Sequence, residues 1–267
     1  MIRLVVALAA EAKPLIHHYG LSAEPGSYLW YRSDCMSLVV SGTGKRAAAA
    51  ATAYLHAKTG ESPFAAWLNF GVAGHRSRLP GDLVVAHTVT DRGSGQRWYP
   101  TRLSGPPLEA VEVATVEQPE TVFTDDAVFD MEASGFYSTA LRFSTTELVQ
   151  TLKLVSDNRT TSFERLTAAR VRDLSAEALE SVVSFVEHLL GLAAILSAPP
   201  LDLEPFRERF RLTATQGRKL ARLLARWRIL EPNAERTPTH FVGARNASEW
   251  IARLEDRLRR LAWEQPL

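Results

Sequence analysis

The sequence predicts an α/β fold, a mostly parallel mixed sheet flanked by helices, followed by a small C-terminal α-helical extension. Three observations carry this expectation. Apolar strand-like runs alternate with helical patterns over the first 198 residues. The opening run, residues 2–8, is continuously apolar, as a strand buried on both faces of a parallel sheet must be. After Ala198-Pro199-Pro200 the pattern changes to two amphipathic helices with no further strand. The expected domains are therefore 1–198 and 199–267.

After the first strand, residues 11–18 read as a helix that Gly20 ends. Residues 28–32 and 36–40 suit a pair of strands, and 47–58 is alanine-rich enough for a helix. Strands are expected again at 65–70 and 82–89. The stretch 92–107 is rich in Gly, Ser, Pro and Arg, which makes it a loop on composition. Residues 111–116, 127–131 and 151–155 supply the remaining strands, with a small-residue helix at 133–143 and a long apolar-faced helix at 174–196. In the extension, 213–230 and 248–263 are helical. Leu220, Leu223, Leu224 and Trp227 share a face of the first, and Trp250, Ile251, Leu254, Leu258 and Leu261 form a stripe on the second. An isolated helix pair of this size is marginal in water, so the stripes are expected to dock on the body or on a sister subunit.

Hydrophobic residues make up 46% of the chain, ample for a core, and the formal net charge is +1. The charge is uneven: 17 Lys+Arg face 21 Asp+Glu in residues 1–198, and 14 face 9 in residues 199–267. With no reader motif, the arginines of the extension read as the solvated face of its helices, and no nucleic-acid partner is expected. The single Cys35 excludes an intrachain disulfide and fits a reducing compartment, so a cytoplasmic location is expected. Arg3 before the apolar residues 4–10 imitates a secretory signal, but the run is at the short limit for one and leads directly into Glu11. No other stretch reads as long and apolar enough to cross a bilayer, so no membrane partner is expected. None of the seven histidines forms a metal-ligand spacing, and His75 reads as a surface residue.

Four strand ends carry groups capable of chemistry. In Phe129-Asp130-Met131-Glu132-Ala133-Ser134-Gly135, a Met-Glu pair ends an apolar strand against a helix, where open α/β sheets build their ligand crevices. Upstream are two glycine-punctuated turns, Ser41-Gly42-Thr43-Gly44-Lys45 and Asn69-Phe70-Gly71-Val72-Ala73-Gly74. The first lacks the Gly-x-x-x-x-Gly-Lys-Ser/Thr spacing of a P-loop. Downstream, the strand containing Lys153 runs into Ser156-Asp157, and Glu11 lies just past the first strand. Read singly, each has a bland explanation. Glu11 and Glu132 suit helix first turns, Asp157 suits a cap or turn, and the glycines suit backbone freedom.

Together, over residues 1–195, these motifs resemble the nucleoside phosphorylase and nucleosidase family, above all its methylthioadenosine/S-adenosylhomocysteine nucleosidase branch. The resemblance implies a nucleoside phosphorylase-like catalytic domain, a small-molecule nucleoside as ligand, a homodimer, and no metal or organic cofactor. It implies hydrolysis of the N-glycosidic bond of a purine nucleoside, an adenosine derivative altered at the 5′ position. By the same resemblance Glu11 activates water, Met131 packs on the sugar, Glu132 binds the ribose, and Ser156-Asp157 delivers a proton to N7 of the base. Lys153 helps place the nucleophile, beside Gly71 and Val72.

Three departures from the family pattern bear on the nucleophile and the base. Val72 stands where nucleosidases carry a serine, in Gly71-Val72-Ala73-Gly74-His75 against Gly-Ser-Ala-Gly-Gly. Lys153 replaces the usual arginine, a point charge for a bidentate fork. Residues 114–120, which the resemblance places beside the base, differ from the nucleosidase version in length and composition. The Gly-Asp-Pro phosphate run of the distant purine nucleoside phosphorylases is also absent. Two alternatives stay open: phosphorolysis, with Lys153 and the Ser41 turn holding phosphate, and a non-catalytic nucleoside-binding or assembly subunit.

Overall fold

The computed structural model describes residues 1–60, 62, 64–101, 106–197, 202–231 and 234–264. The expected boundary at Ala198-Pro199-Pro200 lies outside them. The chain divides into two compact units, Met1–Leu196 and Ser197–Leu267.

The first unit runs β1 (Ile2–Val6), α1 (Ala9–His18), β2 (Ser22–Glu24), β3 (Leu29–Arg32), β4 (Met36–Val40), α2 (Lys45–Thr59), β5 (Ala66–Gly74) and β6 (Leu83–Asp91). It continues through β7 (Arg97–Trp98), β8 (Glu109–Thr115), β9 (Val128–Asp130), α3 (Ala133–Ala140), β10 (Val149–Asp157), α4 (Ala168–Glu177) and α5 (Leu179–Ser197).

The ten strands among the described residues join one mixed sheet whose long ladders are parallel: β1 with β4 and β5, β5 with β10, and β6 with β8. The sheet branches at β5. One edge of β5 takes β10, and the other takes β1 over residues 66–69 and then β9 at Gly74. Since β10, β6, β8 and β9 are themselves linked in that order, five strands close a ring, and β1, β4, β3 and β2 extend from it as an open sheet.

Alternation along the strands separates two cores. Ile2, Leu4 and Val6 meet Ala12 and Leu15 of α1, Leu174 of α4 and Phe185 of α5. On the opposite face Val5 and Val39 meet Ala48, Ala51 and Leu55 of α2 and Phe136 and Tyr137 of α3. Arg3 shares that face. It is fully buried, stacks 4.9 Å from the centre of the Trp67 ring, and donates to Gly60 O at 2.6 Å, so its charge sits at the C-terminal end of α2.

The two helices of this layer meet at their N-termini. A β-carbon on Gly135 would fall 1.9 Å from the Lys45 carbonyl oxygen, so only glycine permits this approach.

Several expectations are corrected. β5 extends through Gly74, so the stretch read as a second glycine turn is strand. The loop 92–107 contains β7, which pairs with β6. The helix expected at 174–196 is two helices, divided at Ala178. β2 was not expected. By length and composition α5 can cross a membrane, contrary to the expectation from sequence. Its Val182, Phe185, Val186, Leu189 and Ala193 pack into the core.

The second unit contains α6 (Glu204–Arg209), α7 (Ala214–Leu230) and α8 (Ala247–Glu264). Thr213 caps α7, accepting from Gln216 N while the Gln216 side chain accepts from Thr213 N. Both predicted stripes pack into one cluster with Phe206 and Phe210, all within this unit, with Leu261 partly buried at its edge. Glu231 ties α7 to α8 by accepting from Trp227 Nε1 at 2.6 Å and from Arg257 at 2.6 and 2.7 Å. The premise that the stripes need an outside surface therefore fails: the short α6 and the 234–244 segment supply the missing partners.

Candidate functional site

The site forms where β1, β5, β9 and β10 end. Glu11 lies in the first turn of α1, and its carboxylate turns back on the strand ends. Oε2 accepts from Ala7 N at 2.9 Å and Leu8 N at 2.8 Å, and Oε1 accepts from Val72 N at 2.9 Å. Both the helix-terminal explanation and a place in the site hold for this residue. Gly71 eases this approach, since a β-carbon there would lie 3.0 Å from Glu11 Oε1, a tight contact. Burial raises the Glu11 pKa, against the three amides and the charge of Lys153.

Glu132 is the N-cap residue of α3, and its Oε1 accepts from Gly44 N at 2.6 Å. Gly44 can present that amide because it holds φ at +101° in the turn before α2. The Ser41 hydroxyl is committed elsewhere, donating to Gly42 O at 2.7 Å and Val6 O at 3.2 Å. Burial first, and the neighbouring charge of Asp130 second, push Glu132 up to about 7.

Asp130 is a carboxylate of the cavity wall that sequence reasoning passed over. Its Oδ2 accepts from Ala133 N at 2.7 Å and Glu132 N at 3.1 Å and lies 2.8 Å from Lys153 Nζ. Its Oδ1 accepts from Thr115 Oγ1 at 2.8 Å. Position i−2 from Glu132, at the last residue of a strand, was the available signal.

At the end of β10 the register with β5 shifts, so that Val155 pairs with Ala73 but Asp157 pairs with Gly74. Such a bulge re-aims the side chains beyond it. Asp157 Oδ1 accepts from Ser156 Oγ at 2.6 Å, and Oδ2 lies 2.8 Å from where a Gly74 β-carbon would be. Burial raises the Asp157 pKa, and the Ser156 hydrogen bond opposes that shift. His75, expected on the surface, is buried. Its Nδ1 accepts from Ser77 N and Arg78 N at 3.1 and 2.9 Å, and Nε2 donates to Asp126 O at 3.2 Å. Burial lowers its pKa.

A cavity of about 350 Å³ opens among these groups, within the range of small-molecule sites. Glu11, Val72, Met131, Glu132, Ser156 and Asp157 line it, together with Asp130, Glu120, Phe129 and Phe163. Gly71 and Lys153 stand behind the wall: the first against Glu11, the second on Asp130. Among the described residues no Lys, Arg or His lines the cavity. In a chamber rich in carboxyl groups with its one lysine recessed, each carboxyl that is ionised favours developing positive charge.

Neither a family model nor a curated protein matches the chain. Solved structures do. The apo 5′-methylthioadenosine nucleosidase of Arabidopsis thaliana aligns over 70% of this chain and 95% of its own, with a TM-score of 0.58 and 17% identity. The S. pneumoniae 5′-methylthioadenosine/S-adenosylhomocysteine nucleosidase with a transition-state inhibitor aligns over 70% and 98%, with a TM-score of 0.55 and 17% identity. A futalosine hydrolase mutant of Helicobacter pylori aligns over 70% and 98%, with a TM-score of 0.52 and 14% identity. At these identities the likeness is one of fold.

Proposed function

From the nucleoside phosphorylase/nucleosidase fold of this chain, we propose that it is a nucleosidase that hydrolyses the N-glycosidic bond of a purine nucleoside, an adenosine derivative altered at the 5′ position. One observation carries the reading: Glu11, Glu132 and Asp157, three buried carboxyl groups of raised pKa, line a single cavity that has no cation in its wall among the described residues.

Glu11 takes a proton from water as the water oxygen attacks C1′. Asp157 gives its proton to N7, and the electron pair of the breaking C1′–N9 bond leaves with the base. Glu132 accepts from the ribose hydroxyls, and its charge stabilises the ribosyl cation as it develops. Met131 packs on the sugar. Glu11 and Asp157 approach β5 at different points, Glu11 against Gly71 and Asp157 against Gly74.

The raised pKa of Asp157 suits its role, since an acid that must hold a proton near neutrality needs desolvation. Lys153 acts from behind, by its charge on Glu11 and Glu132 rather than by contact with the nucleophile. The carboxyl-rich wall argues for water over phosphate. The same reading carries a homodimer, from the family resemblance, and a cytoplasmic setting, from the single exposed Cys35. It also carries a catalytic domain at 1–198 and a helical extension at 199–267 that supplies no catalytic group.

The test is incubation with a panel of purine nucleosides, with and without inorganic phosphate, followed by assay of free base and sugar product. Free base with ribose, at a rate indifferent to phosphate, is expected. Ribose 1-phosphate that scales with phosphate would identify the reaction as phosphorolysis instead, and no base release across the panel overturns the enzymatic reading.

A further inference from the structure

Glu120 lies in the wall of the same cavity, in the segment that follows β8, and its two carboxylate oxygens are used differently. Oε1 accepts from Val122 N at 2.7 Å and Phe123 N at 3.2 Å, whereas Oε2 has no partner among the described residues. The segment is held at a second point by Arg159, two residues past Asp157. Its Nη2 donates to Phe123 O at 2.8 Å and Val122 O at 3.2 Å.

Between these two clamps Phe123 adopts φ +53°, the one non-glycine residue with positive φ among those described. For a bulky side chain this conformation is costly and persists only where the surroundings enforce it. It brings the ring to Gly74, where a β-carbon would meet Phe123 at 2.9 Å and Asp157 Oδ2 at 2.8 Å. Glu120 thus lines the cavity while holding the backbone of Phe123, the residue whose ring packs beside Asp157 at Gly74. Glu11 lies against Gly71, and Glu132 accepts from Gly44.

In the proposed reaction Asp157 meets N7 of the base. On that edge of a purine the neighbour of N7 is the substituent on C6, an amino donor in adenine and an oxygen acceptor in hypoxanthine or guanine. An ionised carboxylate only accepts hydrogen bonds. We propose that Glu120 is the specificity-determining residue that selects a 6-aminopurine over a 6-oxopurine, its Oε2 accepting from the amine and opposing a carbonyl oxygen. The inference rests on the nucleosidase reading for the base atom that Asp157 meets.

Glu120→Gln tests it, because the amide oxygen can keep the Val122 and Phe123 hydrogen bonds while an NH2 replaces Oε2. The ratio of kcat/KM for adenosine-type over inosine-type nucleosides is expected to fall at least roughly tenfold, the scale on which matched and mismatched polar groups discriminate. A ratio unchanged within about twofold overturns the assignment. Equilibrium dialysis of free adenine and free hypoxanthine against both proteins reads the same selectivity without catalysis. If the wild type cleaves no nucleoside, the hydrolysis reading falls, yet a preference for adenine that Glu120→Gln reduces still supports the role of Glu120. Equal binding of the two bases by the wild type, or binding of neither, overturns it.

Discussion

Lys153 Nζ lies 2.8 Å from Asp130 Oδ2, and neither side chain reaches solvent. The pair joins the end of β9 to the middle of β10 beneath the cavity. The same Asp130 oxygen accepts from the first amides of α3, so the lysine, the helix and Glu132 are held as one assembly. The charge of Lys153 thus bears on all three carboxyl groups, Glu11, Asp130 and Glu132.

Removing that cation leaves the buried Asp130 carboxylate without its charge partner. Lys153→Met is expected to cost about 3–5 kcal/mol of stability near neutral pH, as for other buried pairs broken from one side. Part of the loss should return on adding Asp130→Asn, since the double variant no longer buries that charge. Urea unfolding of the three proteins checks this; a loss below about 1 kcal/mol in the single variant contradicts the role assigned to Lys153.

Asp157→Asn should lower turnover at least roughly a hundredfold, the usual effect of losing a general acid. The raised pKa adds a second expectation. An acid works only while protonated, so the wild-type kcat/KM should fall as pH rises through the Asp157 pKa. The residual activity of the variant should lack that limb. Unchanged turnover, or an identical limb in the variant, removes Asp157 from the mechanism.

Glu132→Gln should weaken both binding and rate for ribonucleosides, and less so for substrates without a 2′-hydroxyl. Equal losses on ribo- and 2′-deoxyribonucleosides would show that Glu132 does not hold that hydroxyl. Stability should respond with a definite sign. The folded pKa, about 7, exceeds the ordinary 4.5, so the folded state holds an extra proton between those values. The associated stability is full below 4.5 and is lost as pH rises through about 7. Since glutamine does not titrate, the variant should gain on the wild type across that window, by up to roughly 3 kcal/mol. Denaturation at pH 4.5 and pH 8 measures the difference, and a gap that does not change with pH refutes the shift.

The sequence by itself determined the alternation of strands and helices, the α/β class and the strand-end positions of Glu11, Glu132 and Asp157. Hydrophobic period, helix propensity and turn chemistry are local properties that a one-dimensional reading captures. Tertiary structure alone decided which distant groups meet. The ring closed at β5, the register shift that turns Asp157 toward Gly74, and the pairing of Asp130 with Lys153 depend on strand pairing between segments far apart in the chain. Gly71 and Gly74 read as turn residues until packing showed them as strand positions approached closely by Glu11 and by Asp157 and Phe123. The apolar stripes of the extension were legible, but their mutual burial with Phe206 and Phe210 was not. Periodicity shows that a face must be covered; the covering partner is set by long-range packing, in which every contact depends on the register of all the others.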